Sequence, residues 1–388
     1  MNAPSTASIF LATHLLFFTS SVVAALVFYL YSHPPKPEIA ATCLGGIALT
    51  AYLGLSGPPY VQVMLFLAYW GACALLVSFV GPFFIKKDFK KRVTTLEWMV
   101  APALLEIFGA VMLGFLNRFV PSTYDYYLYA FDTSFGYPPG FLAAQALVAV
   151  APLRVLAEVS YINLTLAMSI AFLMQRSASP EQSRAFFRFV AILGQVGFLF
   201  YILFPAVGTE VLFPGKLYHP PSLASMSVLQ LPDPREPRNC IPSLHTAWAL
   251  AIWWTCPRKI WMRVAAAIFV GATMLYTLAC GHYLADMIAA VPFTLWIYSW
   301  TREGAWASGS IAKRTGLIGL ALFLTWLAAL RFGTALFLLS PAVPIAFSLA
   351  TVIYCRSLRR TLDRQIAPSI AAAPAPSVRQ EGLCAHEA

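Results

Sequence analysis

Charged residues are scarce in this chain. Asp, Glu, Lys and Arg make up 11% of its 388 residues, whereas hydrophobic residues make up 59%, and soluble domains carry about 25% charged residues. This shortage excludes a chain whose whole surface faces water. The basic excess, 26 Lys and Arg against 16 Asp and Glu, lies in short segments between apolar runs. It therefore indicates membrane topology, and no nucleic-acid partner is expected.

Closely spaced cysteine pairs are missing as well. The seven cysteines include no CxxC spacing, so a structural zinc site is not expected. Cys240 and Cys280 each lie a few residues before a histidine. A disulfide between these two thiols, on an oxidising membrane face, stays open as an alternative.

Long apolar runs dominate the rest of the sequence. A membrane-spanning helix needs about 20 mostly apolar residues, and eleven runs approach this length. They are residues 8–31, 38–56, 60–84, 97–117, 153–176, 186–206, 243–257, 260–280, 282–300, 315–331 and 334–354. The shorter apolar segment 139–151 indicates an interfacial or re-entrant helix. The pattern predicts an all-α polytopic membrane helix bundle with about 11 transmembrane helices.

Basic residues cluster in the segments between these runs. The clusters are Lys86 to Arg92, Arg176 to Arg188, Arg258 to Arg263, Arg302 to Arg314 and Arg356 to Arg364. With eleven spans and an N-terminus outside, all five lie on one side, which the positive-inside rule identifies as the cytoplasm. We therefore expect an integral protein of a bacterial inner (plasma) membrane with a cytoplasmic C-terminus.

Two short motifs stand at the outer ends of predicted spans, Pro242-Ser243-Leu244-His245 and His282-Tyr283-Leu284-Ala285-Asp286. His282 and Asp286 are four residues apart, so on a helix their side chains share a face. The aspartate can hold the proton of one ring nitrogen and leave the other nitrogen as a nucleophile. His245 begins a separate helix on the same membrane side, where it can protonate a leaving alkoxide.

A phosphate ester suits these residues. Backbone N–H groups at the helix start after Ser243 can receive phosphate oxygens, and Arg238 can neutralise phosphate with a forked contact. A metal triad of His245, His282 and Asp286 is an alternative.

The two motifs resemble a known family. Arg238 to His245 and Gly281 to Asp286 are similar to the second and third motifs of the type 2 phosphatidic acid phosphatase superfamily. The resemblance is closer to the inositol phosphorylceramide synthase-like branch of inositolphosphotransferases. Leu203 to Gly208 and Phe131 to Gly136 also resemble segments of that branch, so the likeness covers roughly residues 120–300.

The resemblance implies a covalent mechanism that needs no metal and no cofactor. His282 would attack the phosphorus and form a phosphohistidine, Asp286 would orient His282, and His245 would protonate the leaving group. Water or an acceptor hydroxyl would then release the phosphoryl group. The expected substrate is a lipid phosphate ester cleaved at the extracytoplasmic face, among membrane lipids.

Two cations of the family pattern have no counterpart here. Its first motif is missing, and Tyr276 stands six residues before His282, where an arginine is usual. Other basic residues of the preceding loop are expected to supply this charge. The expected phosphate-binding residues are Arg238, Ser243, Leu244, Lys216 and Arg235.

These expectations divide the chain into four parts. Residues 1–118 are N-terminal transmembrane helices, 119–300 a six-helix phosphatase-type catalytic core, 301–355 a transmembrane hairpin, and 356–388 a disordered cytoplasmic tail rich in Ala and Pro. A different class of function, a polytopic lipid or small-molecule transporter with a structural His/Asp pair, is the alternative. A transporter more naturally carries its ionisable residues at the bilayer midplane than at span ends.

Overall fold

The described part of the chain is helical throughout. The computed structural model describes residues 6–84, 89–213, 219–233, 236–302 and 310–371. These segments contain 16 α-helices and one short 3₁₀-helix, without a β-strand in any of them. One isolated antiparallel bridge joins Thr123 to Gln230. The predicted all-α class is confirmed.

Four long helices make up the N-terminal part. They are α1 (Thr6–Tyr31), α2 (Lys36–Leu53), α3 (Pro59–Phe84) and α4 (Phe89–Phe119). A proline next to the start of α2 and another at the start of α3 supply a backbone angle that suits a first helical turn. The α1 helix packs against α3 and α4.

Mostly shorter helices, with one long helix among them, make up the middle of the chain. They are α5 (Asp125–Thr133), α6 (Pro139–Ala149), α7 (Ala151–Ile162), α8 (Leu164–Ala178), α9 (Pro180–Leu203) and α10 (Thr209–Leu212). Ser179 caps α9, since its side chain accepts hydrogen bonds from the N–H groups of Glu181 and Gln182 at 3.1 and 3.3 Å.

The C-terminal part surrounds one central helix. Its helices are α11 (Leu244–Thr255), α12 (Ile260–Ala279), α13 (Leu284–Thr301), α14 (Ser310–Phe332), α15 (Thr334–Phe337) and α16 (Ala342–Ala371). The α13 helix is buried along nearly its whole length, and it packs against α9, α11, α14 and α16. Nine α-helices, α5 to α13, lie in the described residues of this middle and C-terminal region up to Thr301.

Five described helices are long and apolar enough to cross a membrane. They cover Pro59–Gly81, Arg92–Phe119, Pro180–Leu203, Ile260–Ala279 and Ile311–Phe332. A sixth results if α6 and α7 are taken as one broken span. This supports an integral membrane protein, although it is fewer than the eleven spans expected from the sequence. Several apolar runs are shorter as helices, as α11 with its 12 residues illustrates.

Three segments differ from their predicted course. The α6 and α7 helices are bent by 117°, which agrees with a re-entrant segment at 139–151, but the expected span 153–176 is divided by a turn at Asn163. The run 334–354 is likewise interrupted between α15 and α16.

Residues 356–371, predicted to be disordered, continue α16, where Leu362 and Ile366 are fully buried. Residues 372–388 of that predicted tail lie outside the described residues.

Candidate active site

The predicted pair of His282 and Asp286 is in contact. The Nδ1 atom of His282 lies 3.0 Å from Oδ2 of Asp286, and both side chains are almost entirely buried. The reason for the contact differs from the expected one, because His282 precedes α13 and does not lie on its face. The Asp286 carboxylate instead folds back over the helix start, where it also accepts the N–H of Tyr283 at 3.3 Å.

The segment that carries His282 is also held from the preceding helix. The backbone N–H of His282 donates to the carbonyl oxygen of Thr277, near the end of α12, at 3.2 Å. With the ring nitrogen Nδ1 directed at Asp286, Nε2 is the nitrogen left for chemistry.

His245 comes from a different helix and faces His282. It is the second residue of α11, which Ser243 caps by accepting the N–H of Thr246 at 3.3 Å. The ring centroids of the two histidines are 5.7 Å apart. On another side, the His245 ring stacks on Tyr161 with a centroid distance of 4.3 Å and an interplanar angle of 21°. The fold thus brings together two motifs that are far apart in sequence.

A cavity of about 270 Å³ lies beside both histidines. Most of its wall is apolar and comes from α1, α4, α8 and α9, with Phe17, Leu105, Phe108 and Met168 among the lining residues. Its polar lining includes the two histidines and three glutamates. These glutamates are Glu106, Glu210 and Glu236. Among the described residues, the cavity has no Lys or Arg in its wall.

Arg238 does not contribute to this wall. Its side chain is fully buried, and its Nε donates to the carbonyl oxygen of Val120 at 3.1 Å. The Nη1 atom donates to the carbonyl oxygens of Asp233, at 3.0 Å, and Glu236, and Nη2 lies 3.4 Å from the carbonyl oxygen of Pro121. Backbone carbonyls thus take up the guanidinium donors in this structure, and the role of Arg238 as a phosphate ligand stays a prediction.

The other expected phosphate ligands divide into two groups. Ser243 uses its hydroxyl oxygen to cap α11. Leu244 lines the cavity and packs against the backbone of Gly197, where an added Cβ atom would lie 2.6 Å from its Cδ2. Lys216 and Arg235 lie outside the described residues.

Two buried aspartates of α5 also reach the site. Asp132 accepts the backbone N–H of Leu284 at 3.0 Å and that of Ala285 at 3.3 Å, so its carboxylate covers the first turn of α13. Burial raises the pKa of the Asp132 carboxyl well above its usual range, and the nearby charge of Asp286 adds to this rise, while the two N–H donors oppose it.

Asp125, at the start of α5, also accepts several hydrogen bonds close to the site. It accepts the backbone N–H of Val207 at 3.0 Å and that of Gly208 at 2.8 Å, as well as the hydroxyl of Tyr283 at 3.0 Å. Burial raises the pKa of Asp125 despite these donors. Neither aspartate was among the residues predicted from the sequence to form the site. The only signal for Asp132 was its place in a segment that resembles part of a known family.

A second cavity of about 320 Å³ adjoins the first. Glu210 and Cys280 line both cavities. The other polar residues of the second cavity include Arg154, Glu158 and Tyr276, and Glu158 accepts a hydrogen bond from the hydroxyl of Tyr60 at 2.6 Å. The charge of Glu236 adds to the effect of burial in raising the pKa of Glu210.

The described residues offer one group of ligand atoms for a metal ion at this site. It comprises Cys240, His282 and Asp286, whose ligand atoms lie within 4.8 Å of one another. His245, part of the alternative metal triad, is not in this group. The Cys240 thiol donates to the carbonyl oxygen of Gly281 at 3.4 Å, and burial raises its pKa, which disfavours the thiolate that a metal requires. Cys240 and Cys280 are both free thiols, so the alternative disulfide is not formed.

The fold and the site define a helical membrane protein in which a buried His–Asp pair faces a second histidine across a largely apolar cavity. Residues 126–300 match the family model described as the PAP2 superfamily. The match supports the superfamily part of the resemblance and, with it, a phosphatase-type enzyme of lipid phosphate chemistry. It does not distinguish the inositol phosphorylceramide synthase-like branch. Neither the curated proteins nor the solved structures gave a match to the chain.

Proposed function

We propose that this protein is a membrane lipid phosphatase or phosphotransferase that cleaves a lipid phosphate ester through a phosphohistidine at His282. The observation that carries the proposal is the 3.0 Å contact between His282 Nδ1 and Asp286 Oδ2, made opposite His245. We place the site at the extracytoplasmic face because the basic clusters of the sequence favour that topology.

The first step forms the covalent intermediate. Asp286 accepts a hydrogen bond from the Nδ1–H group of His282, which keeps the lone pair of Nε2 available for attack on phosphorus. The Nε2–P bond forms as the bond from phosphorus to the leaving oxygen breaks, and His245 gives its proton to that oxygen.

The second step releases the phosphoryl group. The oxygen of water or of an alcohol attacks phosphorus while His245 takes up the proton, and the Nε2–P bond breaks. His282 returns to its starting form and His245 is protonated for the next cycle. Water makes the reaction a phosphatase reaction, and an alcohol makes it a transferase reaction.

The two cavities suit the two reactants of such a reaction, the lipid substrate and a hydroxyl acceptor. The apolar wall of the first cavity, to which Phe108 and Met168 contribute, fits a lipid chain. The second cavity provides room for a hydroxyl acceptor, since Arg154 and Tyr276 offer donors and Glu210 offers an acceptor there. This adjoining space favours the transferase reaction as the second candidate, as the resemblance to inositolphosphotransferases also suggests.

The phosphate needs positive charge that the described cavity wall does not supply. We propose that Lys216 or Arg235 provides it, together with backbone N–H groups at the start of α11. Arg238 then acts indirectly, because its hydrogen bonds to the carbonyls of Asp233 and Glu236 fix the residues on either side of 234–235.

The proposal is tested with purified protein and labelled lipid phosphates, with and without candidate alcohols. We expect hydrolysis or transfer by the unmodified protein and by His33→Ala, a control at a histidine remote in sequence, and its loss in His282→Ala. Insensitivity to chelators is expected in addition. Uptake of the lipid or a small molecule into vesicles without cleavage, equal in both histidine variants, would instead favour a transporter.

A further inference from the structure

Two carboxylates on one short helix bind the residues that directly follow His282. Asp125 and Asp132 are seven residues apart on α5, so they lie two turns apart on the same face of that helix. Both are fully buried. Neither lines the cavity that holds the histidines, so neither is placed to touch a substrate there.

We infer that Asp132 and Asp125 are positioning residues that hold the His282–Asp286 segment in its geometry for attack on phosphorus. This inference rests on the proposed function. Its physical basis is that a misplacement of about 1 Å in a reacting group costs on the order of 100-fold in rate. His282 precedes α13, so its position depends on how the start of that helix, including Asp286, is held.

Asp132 fixes the beginning of α13. Its two carboxylate oxygens accept the N–H groups of Leu284 and Ala285, which are among the first N–H groups of a helix and have no partner within it. A carboxylate is favourable there because the helix N-terminus carries partial positive charge. The same contacts close this helix start to a substrate phosphate, so α13 presents His282 and does not itself bind the anion.

Asp125 fixes the residue that follows His282. It joins the Tyr283 hydroxyl to the N–H groups of Val207 and Gly208, which belong to the loop after α9. That loop is bonded in turn to Cys240, whose N–H donates to the carbonyl oxygen of Ala206 at 3.2 Å. A single carboxylate thus connects the loop before α11 with the segment before α13, the two sources of the facing histidines.

Three isosteric or near-isosteric substitutions test the inference. Asp132→Asn replaces one acceptor oxygen by an NH₂ group that faces a backbone N–H. Tyr283→Phe removes only the hydroxyl that donates to Asp125. Tyr129→Phe is the matched control, because it removes a hydrogen bond of α5 that is directed elsewhere, to the carbonyl oxygen of Pro221 at 2.7 Å.

The measurements are kcat and KM for short-chain phosphatidic acid, together with the melting temperature of each variant. We expect Asp132→Asn to lower kcat by about 10- to 100-fold and Tyr283→Phe by about 3- to 10-fold, both with KM within about twofold. Tyr129→Phe keeps kcat. A lower kcat with a nearly unchanged KM, measured at an equal folded fraction, is a result that a merely structural role does not produce.

Three results overturn the inference. They are an unchanged kcat in both Asp132→Asn and Tyr283→Phe, a loss confined to KM, and an equal loss in Tyr129→Phe. If Asp132→Asn does not fold, Tyr283→Phe decides alone. His282→Ala in the same assay distinguishes a failure of the proposed function from a failure of this inference. Full activity of that variant, or no activity of the unmodified protein, contradicts the proposed function, whereas an inactive His282→Ala beside fully active positioning variants contradicts only this inference.

Discussion

The backbone of Gly208 lies directly against the carbonyl group of Gly281, the residue before His282. A Cβ atom built on Gly208 would fall 1.7 Å from the Gly281 carbonyl oxygen. Gly208 also has a φ of +88°, which side chains rarely permit. The loop after α9 and the segment before α13 can therefore approach this closely only with glycine at position 208.

Gly208→Ala is expected to abolish activity and to lower the yield of folded protein, because the two segments must separate. Gly136→Ala is the matched control. Gly136 has a similar φ of +91°, but nothing lies within 4 Å of its Cβ position. That control should lose only about 1–2 kcal/mol of stability and keep its activity. Equal activity of the two variants in a lipid phosphate assay would show that the close approach has no functional role.

Arg238→Lys is expected to lower the melting temperature and to leave KM for a lipid phosphate nearly unchanged. Lysine keeps the positive charge, but it cannot reproduce the forked contacts with the carbonyls of Val120, Asp233 and Glu236. Loss of these buried hydrogen bonds should cost about 1–3 kcal/mol. A KM increase of tenfold or more at an unchanged melting temperature would return Arg238 to the role of phosphate ligand.

The loss of kcat in His245→Gln is expected to depend on the leaving group of the substrate. If His245 protonates the departing oxygen, an alkyl phosphate should lose about 100- to 10,000-fold in kcat. An aryl phosphate with an acidic leaving group needs little protonation and should lose much less. Parallel rate measurements with the two substrates test this. Equal losses would indicate that His245 acts on binding rather than on proton transfer.

The stability difference between Asp132→Asn and the unmodified protein should depend on pH. The folded-state pKa of Asp132 is raised, so ionisation destabilises the folded state as pH rises from the unfolded value of about 4 through the raised pKa. Asparagine lacks this effect. The melting temperature of the variant relative to the unmodified protein should therefore rise with pH across this window and level off above it. A constant difference would mean that the pKa is not raised.

The sequence was sufficient to predict the helical class and the contact of His282 with Asp286. It gave the wrong reason for the contact, since the spacing of four residues suggested a shared helix face, whereas His282 precedes α13. The motif pattern identified residues that meet, but not the local backbone that makes them meet.

Other parts of the site depend on contacts between distant segments. Asp132 and Leu284 are 152 residues apart in the chain, and no local pattern indicates that one carboxylate will cover that helix start. The burial of Arg238 likewise depends on carbonyls of Val120 and Pro121 more than 110 residues away. A basic residue beside a phosphate-binding motif therefore suggested a ligand, although its donors are used within the protein.

The C-terminal helix α16 also depends on tertiary contacts that could not be predicted from composition. The Ala- and Pro-rich composition from about Ile366 supported a prediction of disorder for residues 356–388, yet α16 extends to Ala371. Asp363 accepts the hydroxyl of Tyr298 at 2.7 Å and pairs with Arg302 at 3.3 Å. These tertiary contacts join α16 to the end of α13 and stabilise a helix that composition alone did not indicate.

The most direct test of the proposed mechanism is to trap the intermediate. Protein is mixed with a lipid phosphate labelled at phosphorus, denatured rapidly in alkali, in which phosphohistidine survives, and digested to locate the label. We predict acid-labile label on His282 and its absence in His282→Ala. Turnover of the substrate with no label on His282 under these conditions would contradict the mechanism.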